Sequence, residues 1–246
     1  MAILLAARKV LSGMEVIPVV DLKQGVVVHA RMGLRAQYRP IETPLSPTSN
    51  PIDVTRGLLS VYPFKTVYIA DLDAIGRIGN NDAALTHLRN EFSDLTLWVD
   101  NGVADKLSAQ GWLDAGLGNL VLGSETQEDA ALVRDLSQDD RVILSLDYKG
   151  DAFAGPQALL SAADAWPSRI IAMTLARVGS AMGPDWERLS AIKRSSAERF
   201  VYAAGGVRDA DDLRALARIG IAGALVASCL HNGKLTGAQI ARLQAA

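Results

Sequence analysis

The chain has 246 residues, of which 49% are hydrophobic and 21% charged, with a formal net charge of -2; this is a globular composition able to build a sizeable core and excludes a disordered chain. Without a basic excess there is no whole-chain electrostatic drive toward nucleic acid. One cysteine, Cys229, excludes an intrachain disulfide, and the three histidines, His29, His87 and His231, form no His/Cys cluster at zinc spacing.

Residues 1–13 carry a short apolar stretch followed by Arg8 and Lys9. That order is the reverse of a secretory signal, and the stretch is too short to span a bilayer, so it reads as an N-terminal extension of a cytoplasmic protein with no membrane partner. Beyond it, short apolar runs alternate with longer amphipathic stretches. Strands are predicted at 16–20, 66–70, 96–100, 119–123, 141–146, 169–173, 199–204 and 222–227, and helices at 52–61, 81–92, 104–115, 125–136, 156–163, 184–195, 209–219 and 236–244. Most strand runs are continuous Val, Ile, Leu and Ala, as expected for strands covered on both faces. Eight strands alternating with eight helices, and no linker between them, predict one domain over residues 14–246, a (β/α)8 TIM barrel. The long aperiodic stretch at 23–50 follows the first strand, on the face where the strand-to-helix loops of a barrel line the active site.

The second half of the chain repeats the first in the same order. Asp100-Asn101-Gly102-Val103, Gly116 and Leu122-Gly123-Ser124 return 104 residues later as Ala204-Gly205-Gly206-Val207, Gly220 and Val226-Ala227-Ser228. The run from Ile17 to Lys23 returns 126 residues later as Ile143 to Lys149, so that Asp21 falls on Asp147, and residues 67–76 return 103 later, so that Asp71 falls on Thr174. Two fused half-barrels of four βα units, related by an approximate twofold, account for this pattern.

Asp21 and Asp147 each end an apolar run, where a barrel side chain enters the mouth of the site. Related by the twofold, they face each other in the arrangement needed to remove a proton at one point of a substrate and return one at another. Gly205-Gly206 follows a strand and opens a helix, and Ala227-Ser228 ends the last strand; glycines there let backbone N–H groups approach an anion. The repeat predicts a second anion cradle from Asn101-Gly102 with Gly123-Ser124. A substrate phosphorylated at both ends would lie between the two cradles. In the long first loop, Arg35 and Arg39 flank Tyr38, and either guanidinium suits a substrate phosphate or carboxylate, although a solvated surface loop is the alternative. His29 is expected to do no more than contact substrate, and Cys229 to pack.

The run from Ile17 to Lys23 with Gly25-Val26-Val27-Val28, Asp71-Leu72-Asp73-Ala74, Ala203-Ala204-Gly205-Gly206-Val207 and the half-barrel repeat together resemble the histidine-biosynthesis barrels, the isomerase that acts on a phosphoribosylated aminoimidazole carboxamide and its sister cyclase. The resemblance implies an Amadori rearrangement of a phosphorylated aminoaldose to an aminoketose, without metal or cofactor. It also implies catalytic roles for Asp21 and Asp147, a substrate-bonding role for Thr174, and a phosphate contact at Gly179. His29 stands where the family has Arg or Lys, Val178-Gly179-Ser180 where it has Asp-Gly-Thr, and Ala227 where a glycine is usual. These departures keep two alternatives open. One is a lyase or cyclase acting on another phosphorylated small molecule, such as a step toward a one-carbon carrier cofactor in a methylotroph or methanogen. The other is a non-catalytic phosphate-binding or assembly barrel.

Overall fold

The computed structural model describes residues 13–245; apart from Gly13, the expected N-terminal extension lies outside the described residues. Among the described residues ten strands follow in chain order: β1 (Glu15–Lys23), β2 (Val26–Val28), β3 (Thr66–Asp71), β4 (Thr96–Asp100), β5 (Asn119–Gly123), β6 (Val142–Lys149), β7 (Ala152–Phe153), β8 (Arg169–Thr174), β9 (Phe200–Ala204) and β10 (Gly223–Val226). Eight of them pair in parallel in the order β1-β3-β4-β5-β6-β8-β9-β10, and β10 pairs back onto β1, Glu15 opposite Gly223 and Pro18 opposite Val226. The sheet therefore closes into an eight-stranded barrel. Its helices are α1 (Pro51–Val61), α2 (Leu72–Ile75), α3 (Asp82–Glu91), α4 (Lys106–Ala115), α5 (Ala131–Leu136), α6 (Gln157–Ser161), α7 (Trp186–Ser195), α8 (Ala210–Arg218), α9 (Ser228–His231) and α10 (Gly237–Gln244).

The helix starts follow from capping chemistry. The side chains of Asn50, Asp105, Asp185 and Asp209 accept backbone N–H bonds at the first turns of α1, α4, α7 and α8, and Thr236 with Gln239 forms a capping box on α10. One predicted helix, 125–136, is broken. Ser124–Thr126 is a 3-10 turn and the helix begins only at Ala131, because the Gln127 amide donates to the carbonyls of Gly123 and Val103 and pins the intervening loop. Predicted helix 156–163 likewise shortens to α6 followed by a 3-10 turn, Ala163–Ala165.

The repeat offsets hold element by element. Adding 104 carries β4 onto β9 and β5 onto β10 with its following residue, and adding 103 carries β3 onto β8. The 126 offset extends past the strands: β1 turns back into β2 with Lys23 opposite Val26, and β6 into β7 with Lys149 opposite Ala152. Both small hairpins were absent from the sequence reading.

Side-chain alternation divides each strand between two cores. Val20 and Leu22 on β1, Leu144 and Leu146 on β6 and Val201 and Ala203 on β9 pack outward with the helices. Ile17, Tyr68, Trp98, Val121, Ile143, Ile171, Tyr202 and Leu225 fill the lumen. Trp98 and Tyr202 meet edge to face at 4.9 Å between ring centroids, and the Tyr202 hydroxyl donates to Glu15 at 3.0 Å. These residues make a solid floor beneath the C-terminal ends of the strands, in the manner of barrels of this class.

The β1–β2 turn, with Gln24 at φ 52° and Gly25 at φ 78°, is a left-handed two-residue hairpin turn. It is held from outside by the Asp71-Leu72-Asp73 corner: Asp73 accepts from the Gln24 N–H at 2.5 Å, and Asn81 accepts from the Gly25 N–H at 2.8 Å. Asn81 in turn donates to Asp71 at 2.6 Å and to Asp73 at 3.0 Å. Replacing Asn81 with Ala removes donors to two buried carboxylates, and hydrogen bonds to charged groups contribute about 1.5–3 kcal/mol each. Urea unfolding of Asn81→Ala should show a loss of at least about that size; a midpoint equal to the parent's would mean the corner does not clamp the hairpin.

Candidate active site

Three carboxylates reach the top of the lumen because they share the inward parity of the floor residues below them: Asp21 above Ile17 and Val19, Asp100 above Trp98, and Asp147 above Ile143 and Ser145. They line a cavity of about 500 Å³ at the barrel mouth, together with Tyr68, Glu125, Met173 and the loops after β1, β8, β9 and β10. Asp147 is only 4% exposed; its Oδ1 accepts from the Ser145 hydroxyl at 2.6 Å, and its Oδ2 from the Ser124 hydroxyl at 3.2 Å and the Glu125 N–H at 3.3 Å. Asp100, 5% exposed, accepts the Gly102 N–H at 3.2 Å on Oδ1, and its Oδ2 has no donor among the described residues. The two meet beside Gly123, where a Cβ would lie 2.8 Å from Asp100 Oδ2 and 3.4 Å from Asp147 Oδ2. Glycine is therefore the residue that fits at this position.

Low polarity in the lumen disfavours the ionised forms. Burial pushes the Asp21 carboxyl up to about 7, against the pull of Arg35. Asp147 rises to about 6, with burial outweighing its hydroxyl and N–H donors and the Glu125 charge adding to the rise. Asp100 rises to about 8, through burial first and the neighbouring Asp147 charge second. Glu125 is also desolvated, yet Arg35 and Lys149 hold it below the usual carboxylate range.

At the second-half pole, Gly205, Gly206, Ala227, Ser228 and Gly179 all line the cavity, with Arg208 and Lys234 nearby. Gly205 and Gly206 have φ values of 100° and 87°, and a Cβ on either would fall 2.5 Å or less from the carbonyl oxygen of Thr174 or of Gly183. Only glycine takes this path. His29 and Arg35 also line the cavity, and the Arg35 guanidinium is engaged by Glu125.

Other expected site residues are placed elsewhere. Thr174 does not line the cavity: Met173 has the inward parity on β8, so Thr174 faces the barrel wall and its hydroxyl accepts from Arg188 at 3.3 Å. Arg39 is exposed and borders a separate shallow groove with Glu42 and Thr43. The first-half anion cradle is not open to the cavity. Gly102 packs on the backbone of Ala74 and Ile75, Gly123 abuts the Asp100 and Asp147 carboxylates, and the Ser124 hydroxyl is committed to Asp147 and to the Ala154 carbonyl. Asp100 and Glu125 are the residues that sequence reasoning missed. The repeat contained the signal, since both are charges standing where the second half has Ala204 and Cys229. Cys229 is buried.

Three carboxyls with folded values above the ordinary 3.8 bind more protons in the folded than in the unfolded chain. Their contribution to stability is therefore fully present below about 4 and is lost as pH rises toward about 8. Asp100→Asn should flatten the fall in unfolding midpoint between about pH 5 and pH 8 and raise the midpoint at the upper end; an unchanged slope would show that Asp100 ionises freely.

Residues 15–236 match the family model described as histidine biosynthesis protein. An uncharacterized protein of Methanocaldococcus jannaschii is 28% identical over 228 residues, which cover 90% of this chain and 95% of that protein. Proteins of Myxococcus xanthus and Deinococcus radiodurans, each named 1-(5-phosphoribosyl)-5-((5-phosphoribosylamino)methylideneamino) imidazole-4-carboxamide isomerase, are 28% identical over 243 and 238 residues, covering 93% and 90% of this chain and 98% and 95% of theirs. With a closed barrel, a twofold repeat in sequence and structure, and a family match over most of its length, the chain belongs to the histidine biosynthesis protein family.

Proposed function

We propose that the protein is an isomerase that converts a phosphorylated, ribose-derived aminoaldose to the aminoketose by carboxylate acid/base catalysis. The observation that carries this reading is the placement of Asp21 and Asp147 at equivalent strand ends of the two halves, over one cavity, with values raised to about 7 and about 6. Such a rearrangement needs an acid that protonates the ring oxygen as the C1–O bond opens and the amine nitrogen forms an iminium. It then needs a base that takes the proton from C2, and a proton returned to C1 as the enol becomes the ketone. Two carboxyls near neutrality, one protonated and one ionised, can perform both duties. The relatives named as isomerases support the class of reaction.

Phosphate binding falls to Gly205, Gly206 and Ser228, which line the cavity, with Lys234 adding positive charge at the same rim and Arg208 there paired with Asp212. Arg35, held by Glu125 and inside the cavity, is positioned to polarise substrate oxygen and to lower the Asp21 value once substrate excludes water. Thr174 is tied to the wall by Arg188, whose guanidinium also sits 4.1 Å over the Tyr148 ring and pairs with Asp185 at 2.8 Å.

A second reading, lyase or cyclase chemistry on another phosphorylated small molecule, is favoured by the wall-facing Thr174, which withholds a hydroxyl from the substrate. Growth of a histidine auxotroph lacking the isomerase separates the two: rescue would establish isomerase chemistry on the doubly phosphoribosylated compound for which the relatives are named, and its absence would point to a different phosphorylated substrate.

Asp21→Asn and Asp147→Asn should each lower kcat by about 10²- to 10⁴-fold with the far-ultraviolet circular dichroism spectrum unchanged; near-normal turnover in both would remove the mechanism. For the parent protein, kcat/KM should rise with pH through about 6 and fall above about 7, values that belong to the coupled pair and not to either residue alone. A profile flat from pH 5 to about 9 would exclude carboxyl acid/base control.

A further inference from the structure

The twofold that relates the halves makes the two poles of the cavity directly comparable, residue by residue. At offset 104, Ala204 corresponds to Asp100, Gly205 to Asn101, Gly206 to Gly102, Ala227 to Gly123, Ser228 to Ser124 and Cys229 to Glu125. The backbone elements coincide, with β4 and β5 matching β9 and β10 and the 3-10 turn Ser124–Thr126 matching α9. The side chains do not correspond in charge. Where one pole has two small uncharged residues, the other has two acidic ones, the buried Asp100 and the half-buried Glu125.

We infer that the poles hold opposite ends of the substrate, the β9/β10 pole a single phosphate and the β4/β5 pole an amine-bearing, hydrogen-bond-donating end, so that the substrate is a monophosphate and not a bisphosphate. The phosphate half of this statement rests on the glycine-cradle reading given above. The other half rests on three observations at the β4/β5 pole. Asp100 is 5% exposed and lines the cavity, and its Oδ2 has no donor among the described residues. An unpartnered carboxyl oxygen of a buried residue, open to a cavity, calls for a polar partner from the occupant, and a cationic donor satisfies it in its ionised form. The cations near this pole, Arg35 and Lys149, are both engaged by Glu125, whose side chain is 9% exposed. A second phosphate would have to displace that carboxylate and then sit against Asp100 and Asp147. Finally, the groups that would have formed a matching cradle are consumed internally: the Ser124 hydroxyl by Asp147 and Ala154, and the Gly102 N–H by Asp100 itself.

An ammonium or protonated amine meets none of these penalties. It donates to Asp100 and Asp147, and its charge draws both carboxyls toward the ionised form in the low-polarity lumen.

Isothermal titration at about pH 7 with five sugars tests the pole by itself and in combination. Glucosamine 6-phosphate should bind at least about tenfold more tightly than glucose 6-phosphate, and fructose 1,6-bisphosphate no more tightly than glucose 6-phosphate. The advantage of the amine should disappear in Asp100→Asn and shrink in Glu125→Gln, while the affinity for inorganic phosphate stays unchanged in Asp100→Asn. If one of these variants fails to fold, the other gives the same readout. Unphosphorylated glucosamine against glucose reads the acidic pole alone: a preference for the amine that is lost in Asp100→Asn supports the inference even if inorganic phosphate does not bind, in which case it is the glycine-cradle reading that falls. Equal affinities for amine and hydroxyl sugars, or a bisphosphate bound about tenfold or more tightly than the monophosphate, would overturn it.

Discussion

The parallel ladder between β10 and β1, from Glu15 opposite Gly223 to Pro18 opposite Val226, is the constraint on which the rest of the molecule depends. Each half contributes four main strands with apolar side chains on both faces, and neither half can cover its inner face alone. Only closure turns that inner face into a packed lumen floored by Trp98 and Tyr202. Closure also gives every strand end a single destination. Asp21 from the first half and Asp147 from the second then share one low-polarity space, and that space, more than any local sequence, raises their values toward neutrality.

Within the closed barrel, alternation along the strand decides which residues can do chemistry. A step of one residue on β8 separates Met173, in the cavity, from Thr174, on the wall; the same step on β3 separates inward Ala70 from Asp71. Asp71 and Thr174 are twofold mates, and both serve structure: Asp71 caps α2 and accepts from Asn81, and Thr174 accepts from Arg188. The Asp71-Leu72-Asp73 corner thus positions the β1–β2 hairpin from behind, while Asp21 on the same hairpin faces the substrate space.

The two poles show how a duplicated frame acquires direction. The backbone repeat survives, down to the paired hairpins after β1 and β6. The charges have diverged, with Gly205-Gly206 and Ser228 open at one end and the buried Asp100 and half-buried Glu125 at the other. Burying carboxylates costs stability unless they are paired or protonated. Glu125 is paired, whereas Asp100 is held protonated to about 8. A group maintained at such a cost in a cavity is the kind found at functional sites.

The sequence by itself determined the fold class, the half-barrel repeat and the strand ends that carry Asp21 and Asp147, because those follow from apolar periodicity and from spacing along one chain. Helix 125–136 was misjudged because the break comes from Gln127 reaching the carbonyls of Val103 and Gly123, a contact absent from local periodicity. The tertiary structure alone decided that Thr174 faces the wall, that Arg39 lies outside the cavity and Arg35 inside it, and that Asp100 and Glu125 occupy the pole where a second anion cradle was expected. The physical reason is the same in each case. A motif states which residue types occupy a strand end, but which way a side chain points, and whether a hydroxyl or N–H is free or already bonded, depends on neighbours that closure brings from distant parts of the chain.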